Sequence, residues 1–135
     1  MVIDFWQAPS HFNAILPQLL SQLSFQPLAF AQSTVIPAVT ELAMAANSPD
    51  NMRGMNTGLL KVMKADSARE RLAGVRCEIS LTEKLGEEWL SMLPEMLPVI
   101  SELQDDDDEK VEKETHRWIK MIEGVLGENL DAMLQ

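Results

Sequence analysis

The chain has 135 residues, 46% of them apolar and 24% charged, with a formal net charge of −10. That size supports one domain with an ordinary core, and the acidity argues against nucleic-acid binding driven by the field of the whole molecule. The single cysteine excludes an internal disulfide and a cysteine-rich zinc site; no uninterrupted apolar run of about 18 residues could span a membrane, and the first residues lack the basic flank and apolar run expected of a signal peptide.

Apolar residues recur at three- and four-residue spacing from one end to the other, which predicts helices throughout. Phe12, Ile15, Leu16, Leu19, Leu20 and Leu23 mark the first, with Ser10 as its N-cap. Val35, Val39, Leu42 and Ala46 mark a second, capped by Ser33 or Thr34 and stopped by Asn47-Ser48-Pro49. Met52, Met55, Leu59, Val62 and Met63 mark a third. The fourth runs through Leu72, Val75 and Ile79, between a Ser67 cap and a Gly86 stop. Trp89, Leu93, Leu97 and Ile100 form a fifth, and Val111, Thr115, Trp118, Ile119, Ile122 and Val125 a sixth that ends at Gly127. A tail helix is expected over 128–135. No alternating β-branched run competes, so the fold class is all-α.

Charge is distributed unevenly along these helices. Residues 1–49 carry only Asp4 and Glu41; residues 50–76 have a net charge of +3, residues 77–100 of −4 and residues 101–135 of −7. A first third almost without charge suits a buried or covered face. In isolation such a face is expected to promote self-association.

Ile15-Leu16-Pro17 and Met96-Leu97-Pro98 repeat one step 81 residues apart, which accommodates two intervals of about 40, the period of HEAT-type helix pairs. Proline inside a helix kinks it, as suits the curved outer helices of a solenoid. The expectation is a HEAT-like α-solenoid of about three antiparallel helix pairs, near 10–47, 50–86 and 87–127, in a single domain. Asp66 falls in the second pair's turn and Arg69 or Arg71 opens its second helix, although that pair lacks the proline.

Leu85-Gly86-Glu87-Glu88-Trp89-Leu90, Leu93-Pro94-Glu95-Met96-Leu97-Pro98, Ser101-Glu102-Leu103, Asp105–Glu109 and Val125-Leu126-Gly127-Glu128 occur in an order unlike a generic HEAT unit. Together with Asp4-Phe5-Trp6-Gln7, they resemble the C-terminal region of the family of large HEAT-repeat subunits of the small-subunit processome, the U-three small nucleolar RNA-associated protein ten family. The resemblance covers nearly the whole chain. Family members are far longer, so it implies that these residues are a C-terminal piece. It also implies a non-catalytic scaffold in the nucleus and nucleolus, supporting 18S pre-rRNA processing and, in some organisms, ribosomal DNA transcription. The implied partners are other subunits of the early pre-rRNA-binding subcomplex, with at most indirect or weak pre-rRNA contact and no membrane.

The residues themselves offer two candidate surfaces. The run Asp105, Asp106, Asp107, Asp108 and Glu109 lacks the spaced ligands and turn glycine of a calcium loop. It reads as a solvated helix start, or as a protein-binding acidic turn. Arg53, Lys61, Lys64, Arg69, Arg71 and Arg76 are the candidate RNA contacts, dispersed among three acids and without interleaved aromatics. Helix-surface ion pairing is the competing account of them. Met52, Met55 and Met63 fit core filler better than an adaptable groove. Cys77, His11 and His116 lack the spacing of a metal site or a nucleophile and its base. No catalytic, metal-ligating or cofactor-binding residue is expected, and the chain does not read as an enzyme. A non-catalytic scaffold, an RNA-binding module using residues 53–76, and a general HEAT adaptor of transport or phosphatase type remain the competing functions.

Overall fold

The computed structural model describes the backbone of residues 8–134 and the side chains of residues 11–134. The opening Asp4-Phe5-Trp6-Gln7 lies outside the described residues. In chain order the helices are α1 (Ala8–Phe25), α2 (Leu28–Phe30), a π-helical turn (Ala31–Val35), α3 (Ile36–Ala45), α4 (Pro49–Val62), α5 (Ala68–Leu85), α6 (Glu87–Leu90), α7 (Leu93–Leu103) and α8 (Glu109–Leu126). No strand occurs among the described residues, and the fold is all-α.

Local chemistry accounts for most boundaries. The Ser48 hydroxyl accepts the Asn51 N–H at 3.1 Å and Pro49 occupies the first turn of α4, where no donor is needed. Ser67 caps α5 by accepting from Glu70, and Gly86, at φ +57°, ends it. Gly127 closes α8 in the left-handed region, its N–H reaching Glu123 O at 2.8 Å.

Four boundaries differ from the periodicity. The first helix starts at Ala8, so Ser10 lies inside its first turn rather than capping it. Helix begins again at Leu28, well ahead of Ser33 and Thr34, because the chain passes Pro37 through a π turn instead of starting afresh. A proline ring collides with the carbonyl four residues earlier, here Ser33, and the wider turn relieves that collision. Pro94 acts similarly on the fifth helix: it opposes the Leu90 carbonyl, so α6 ends at Leu90 and α7 begins at Leu93. The expected tail helix is absent from residues 127–134, which form turns. Glu123 Oε2 captures the Leu130 N–H at 2.8 Å and Asn129 Oδ1 the Asp131 N–H at 2.7 Å, leaving one short turn closed by Leu134 N–H to Leu130 O.

Packing centres on α5. It touches α1, α3, α4, α6 and α8, so residues on opposite sides of it are buried: Leu72, Val75 and Ile79, but also Ala73, Gly74, Cys77 and Leu81. α1 packs on α3, α4 on α5 and α7 on α8, while α3, α5 and α8 lie in succession, each against the next. Small residues permit the closest approaches. A Cβ on Gly74 would stand 2.6 Å from Met63 Cγ, and one on Gly58 2.4 Å from Leu20 Cδ1. Met52, Met55 and Met63 are buried, as core filler should be. The stretch Leu28–Ala45, with mean hydropathy 1.3, is long and apolar enough by composition to cross a membrane. Here Val35, Val39, Leu42 and Ala43 direct that apolar character into the core.

Candidate functional site

Three of the six candidate cations project from α5 and bind segments outside that helix. Arg69 donates through Nη1 to Gln26 O at 2.7 Å and through Nη2 to Ser24 O, tying the start of α5 to the C-terminal end of α1. Arg71 reaches the other way. Its Nε and Nη2 meet the two Asp106 carboxylate oxygens at 2.9 and 3.0 Å, while Nη1 donates to Ala65 O and Asp66 O of its own turn. Arg76 donates to Gln32 Oε1 of the π turn at 2.8 Å and lies 3.7 Å from Glu114 of α8. One helix thus clasps the segments before and after it.

The acidic turn separates into different roles. Asp106 is the receiver for Arg71, and its side chain is only 8% exposed. Burial would raise its carboxyl pKa, but the Arg71 hydrogen bonds, with the Asp108 N–H, outweigh burial and hold it below 3.8. Asp108 caps α8, accepting from Lys110 and Val111 at 2.9 and 3.1 Å. Glu109 pairs with Lys113 one turn on, in water. Asp105 and Asp107 face solvent. The turn is therefore a joint between helices with a solvated outer edge. Of the remaining cations, Arg53 pairs with Asp50 at 3.4 Å, and Lys61 and Lys64 are exposed on and just after α4. The six cations do not form one stripe.

A buried polar cluster joins α4, α5 and α6. Glu78 is fully buried and Asn56 is 2% exposed; with the Asn56 amide assigned so that its nitrogen faces Glu78, it donates to both carboxyl oxygens at 3.1 Å. The indole N–H of Trp89, also fully buried, faces the same carboxyl without reaching hydrogen-bond geometry. Burial pushes the Glu78 pKa well above 4.5, and the indole dipole opposes this only in part. Trp118 Nε1 donates to Thr82 Oγ1 at 3.1 Å, one helical turn away on α5. The sequence carried a signal for this cluster: Glu78 falls three residues after Val75 and four before Thr82, on a core face.

Burial likewise raises the Cys77 thiol, with Glu78 adding to the effect. His116 Nε2 lies 3.1 Å from Gln104 O, on an exposed part of α8. Sealed thiol and exposed imidazole occupy different environments. Among the described residues no three His, Cys, Asp or Glu side chains converge as metal ligands would.

Comparison with known proteins places this arrangement in context. No family model matches the chain. It is 58% identical over 132 residues to U3 small nucleolar RNA-associated protein 10 of Phaeosphaeria nodorum, with 97% of the chain covered. Proteins of the same name from Pyricularia oryzae and Chaetomium globosum are 56% and 55% identical, again over 97% of the chain. The chain spans about 8% of the length of each of these relatives.

Proposed function

Because the chain belongs to the U3 small nucleolar RNA-associated protein 10 family, we propose that it is a non-catalytic scaffold segment of a nucleolar ribosome biogenesis factor. In this reading it acts through protein–protein contacts that support small-subunit processome assembly and 18S pre-rRNA processing. The observation that carries the scaffold reading is the deployment of charge. Arg69, Arg71, Arg76, Asp106 and Asp108 hold helices in register rather than converging on a ligand. The pairs near 10–47, 50–86 and 87–127 are then successive HEAT-like units, with α3, α5 and α8 as the stacked second helices.

The outer surfaces fit such a role. Phe25 is 82% exposed, and Phe30 and Met44 are exposed within the charge-poor first third. The isolated chain should self-associate there, which sedimentation at increasing concentration measures.

The test uses the full-length protein. Arg71→Asp should reduce its co-purification with U3 small nucleolar RNA and processome subunits and cause 18S precursors to accumulate; adding Asp106→Arg should restore both. Unchanged association with Arg71→Asp, in a protein shown to have lost the clasp, would overturn the scaffold reading. The alternative RNA contact through residues 53–76 has only Arg53, Lys61 and Lys64 left largely to solvent. It requires pre-rRNA spacer binding that weakens steeply with salt and is lost on Lys61→Glu with Lys64→Glu.

A further inference from the structure

We propose that the groove between α7 and the C-terminal turns is a docking site for a basic amphipathic helix of a protein partner. This rests on the scaffold reading and specifies the chemistry of one contact. Pro94, Leu97, Pro98 and Ser101, three and four residues apart, form one face of α7. Met133 and Leu134 form the facing wall, enclosing about 340 Å³ open to solvent. That wall is anchored. Leu130 is fully buried, its N–H is held by Glu123, and the Ser101 hydroxyl meets Leu134 O at 3.5 Å. Met133 stays 42% exposed at the rim, and Leu97 and Leu134 are half-buried. The groove is thus apolar, supported from beneath and incompletely filled.

Its rim selects the occupant. Glu95 and Glu102 are exposed along one border of α7, Asp105 lies one turn beyond Ser101, and Asp131 is exposed on the opposite segment. The sequence stretches that carry the lining residues, 85–109 and 121–134, contain no lysine or arginine. On neighbouring α8, Lys113, Arg117 and Lys120 pair with Glu109, Glu114 and Glu123, and Lys110 lines a separate cavity with Arg69 and Asp108. A helix with two or so apolar anchors at i and i+3 or i+4 and a basic flank complements this surface. An acidic helix is repelled, and a second copy would bring like rims together.

The probe is a fluorescein-labelled synthetic helix of leucine at heptad spacing with lysine elsewhere, titrated with the chain and read by anisotropy. It should bind about tenfold more tightly than a scrambled peptide of identical composition, and a leucine–glutamate counterpart should not bind. Met133→Lys, and Glu95→Lys with Glu102→Lys, should each weaken binding about tenfold. These three side chains are exposed, so helicity measured by circular dichroism should not change. Equal binding of the scrambled peptide, or variants that bind like the parent, would overturn the proposal. A dimer dissociated by Met133→Lys would assign the groove to a second copy and overturn it as well. The assay contains only chain and peptide, so a negative result leaves the full-length association test of the scaffold reading untouched.

Discussion

Replacing Glu78 with glutamine isolates the energetic consequence of one buried carboxyl. Its pKa in the folded chain is raised well above 4.5. The folded state therefore keeps a proton that the unfolded chain releases near pH 4.5. The stabilising contribution is complete below that pH and is lost as pH rises toward the folded pKa, by about 1.4 kcal/mol per pH unit. Asp106 runs the other way. Its pKa is held below 3.8, so its contribution is present above that value and lost only in stronger acid. Above about pH 5 the Asp106 contribution is flat, and the Glu78 slope stands alone between these two. Glutamine preserves the shape without the ionisation and should abolish the slope. Urea denaturation followed by tryptophan fluorescence measures this, since Trp89 and Trp118 are both fully buried. At a urea m-value of about 1–3 kcal/mol per M, the parent midpoint should fall by about 0.5–1.4 M for each unit of rising pH. A Glu78→Gln chain that keeps the parental slope, or a parent with no slope above pH 5, would refute the reasoning.

Other perturbations separate structural from surface charge. In a double-mutant cycle of Arg71→Ala and Asp106→Ala, the paired side chains, 18% and 8% exposed, should show a coupling of about 1.5–3 kcal/mol. The corresponding cycle on exposed Lys113 and Glu109 should show no measurable coupling. Asp108→Ala removes the acceptor for two N–H groups at the start of α8 and should cost about 1 kcal/mol in thermal or chemical denaturation. Gly74→Ala gains helix propensity but drives a methyl into Met63, which is fully buried, so denaturation should show a net loss of about 1–3 kcal/mol.

How much of this was legible in the sequence depends on the range of the interaction. Ser67, Gly86 and Gly127 act on backbone within a few residues, and each marks a helix end as its chemistry requires. Pro37 and Pro94 act equally locally, but periodicity does not reveal whether a helix absorbs a proline by widening or by breaking. The joining of Arg71 to Asp106 crosses 35 residues, and four neighbouring acids present the same chemistry. Only the approach of the two turns decides which one is used. Glu78 stands at core spacing from Val75, but its complete burial follows from α5 being enclosed from several directions, which its neighbours decide. The tail shows the same limit: Leu130, Met133 and Leu134 fit helical spacing, yet the Glu123 carboxylate fixes the backbone otherwise.

The two arginine clasps differ in what they ask of mutation. Arg71 needs a carboxylate at position 106, so a change at either position demands a matching change at the other. Arg69 grips the main-chain oxygens of Ser24 and Gln26, which every amino acid supplies. The end of α1 can therefore vary its side chains freely without loosening that joint, provided its path is kept. Drift is tolerated on one flank of α5, whereas the other flank changes only by paired substitution.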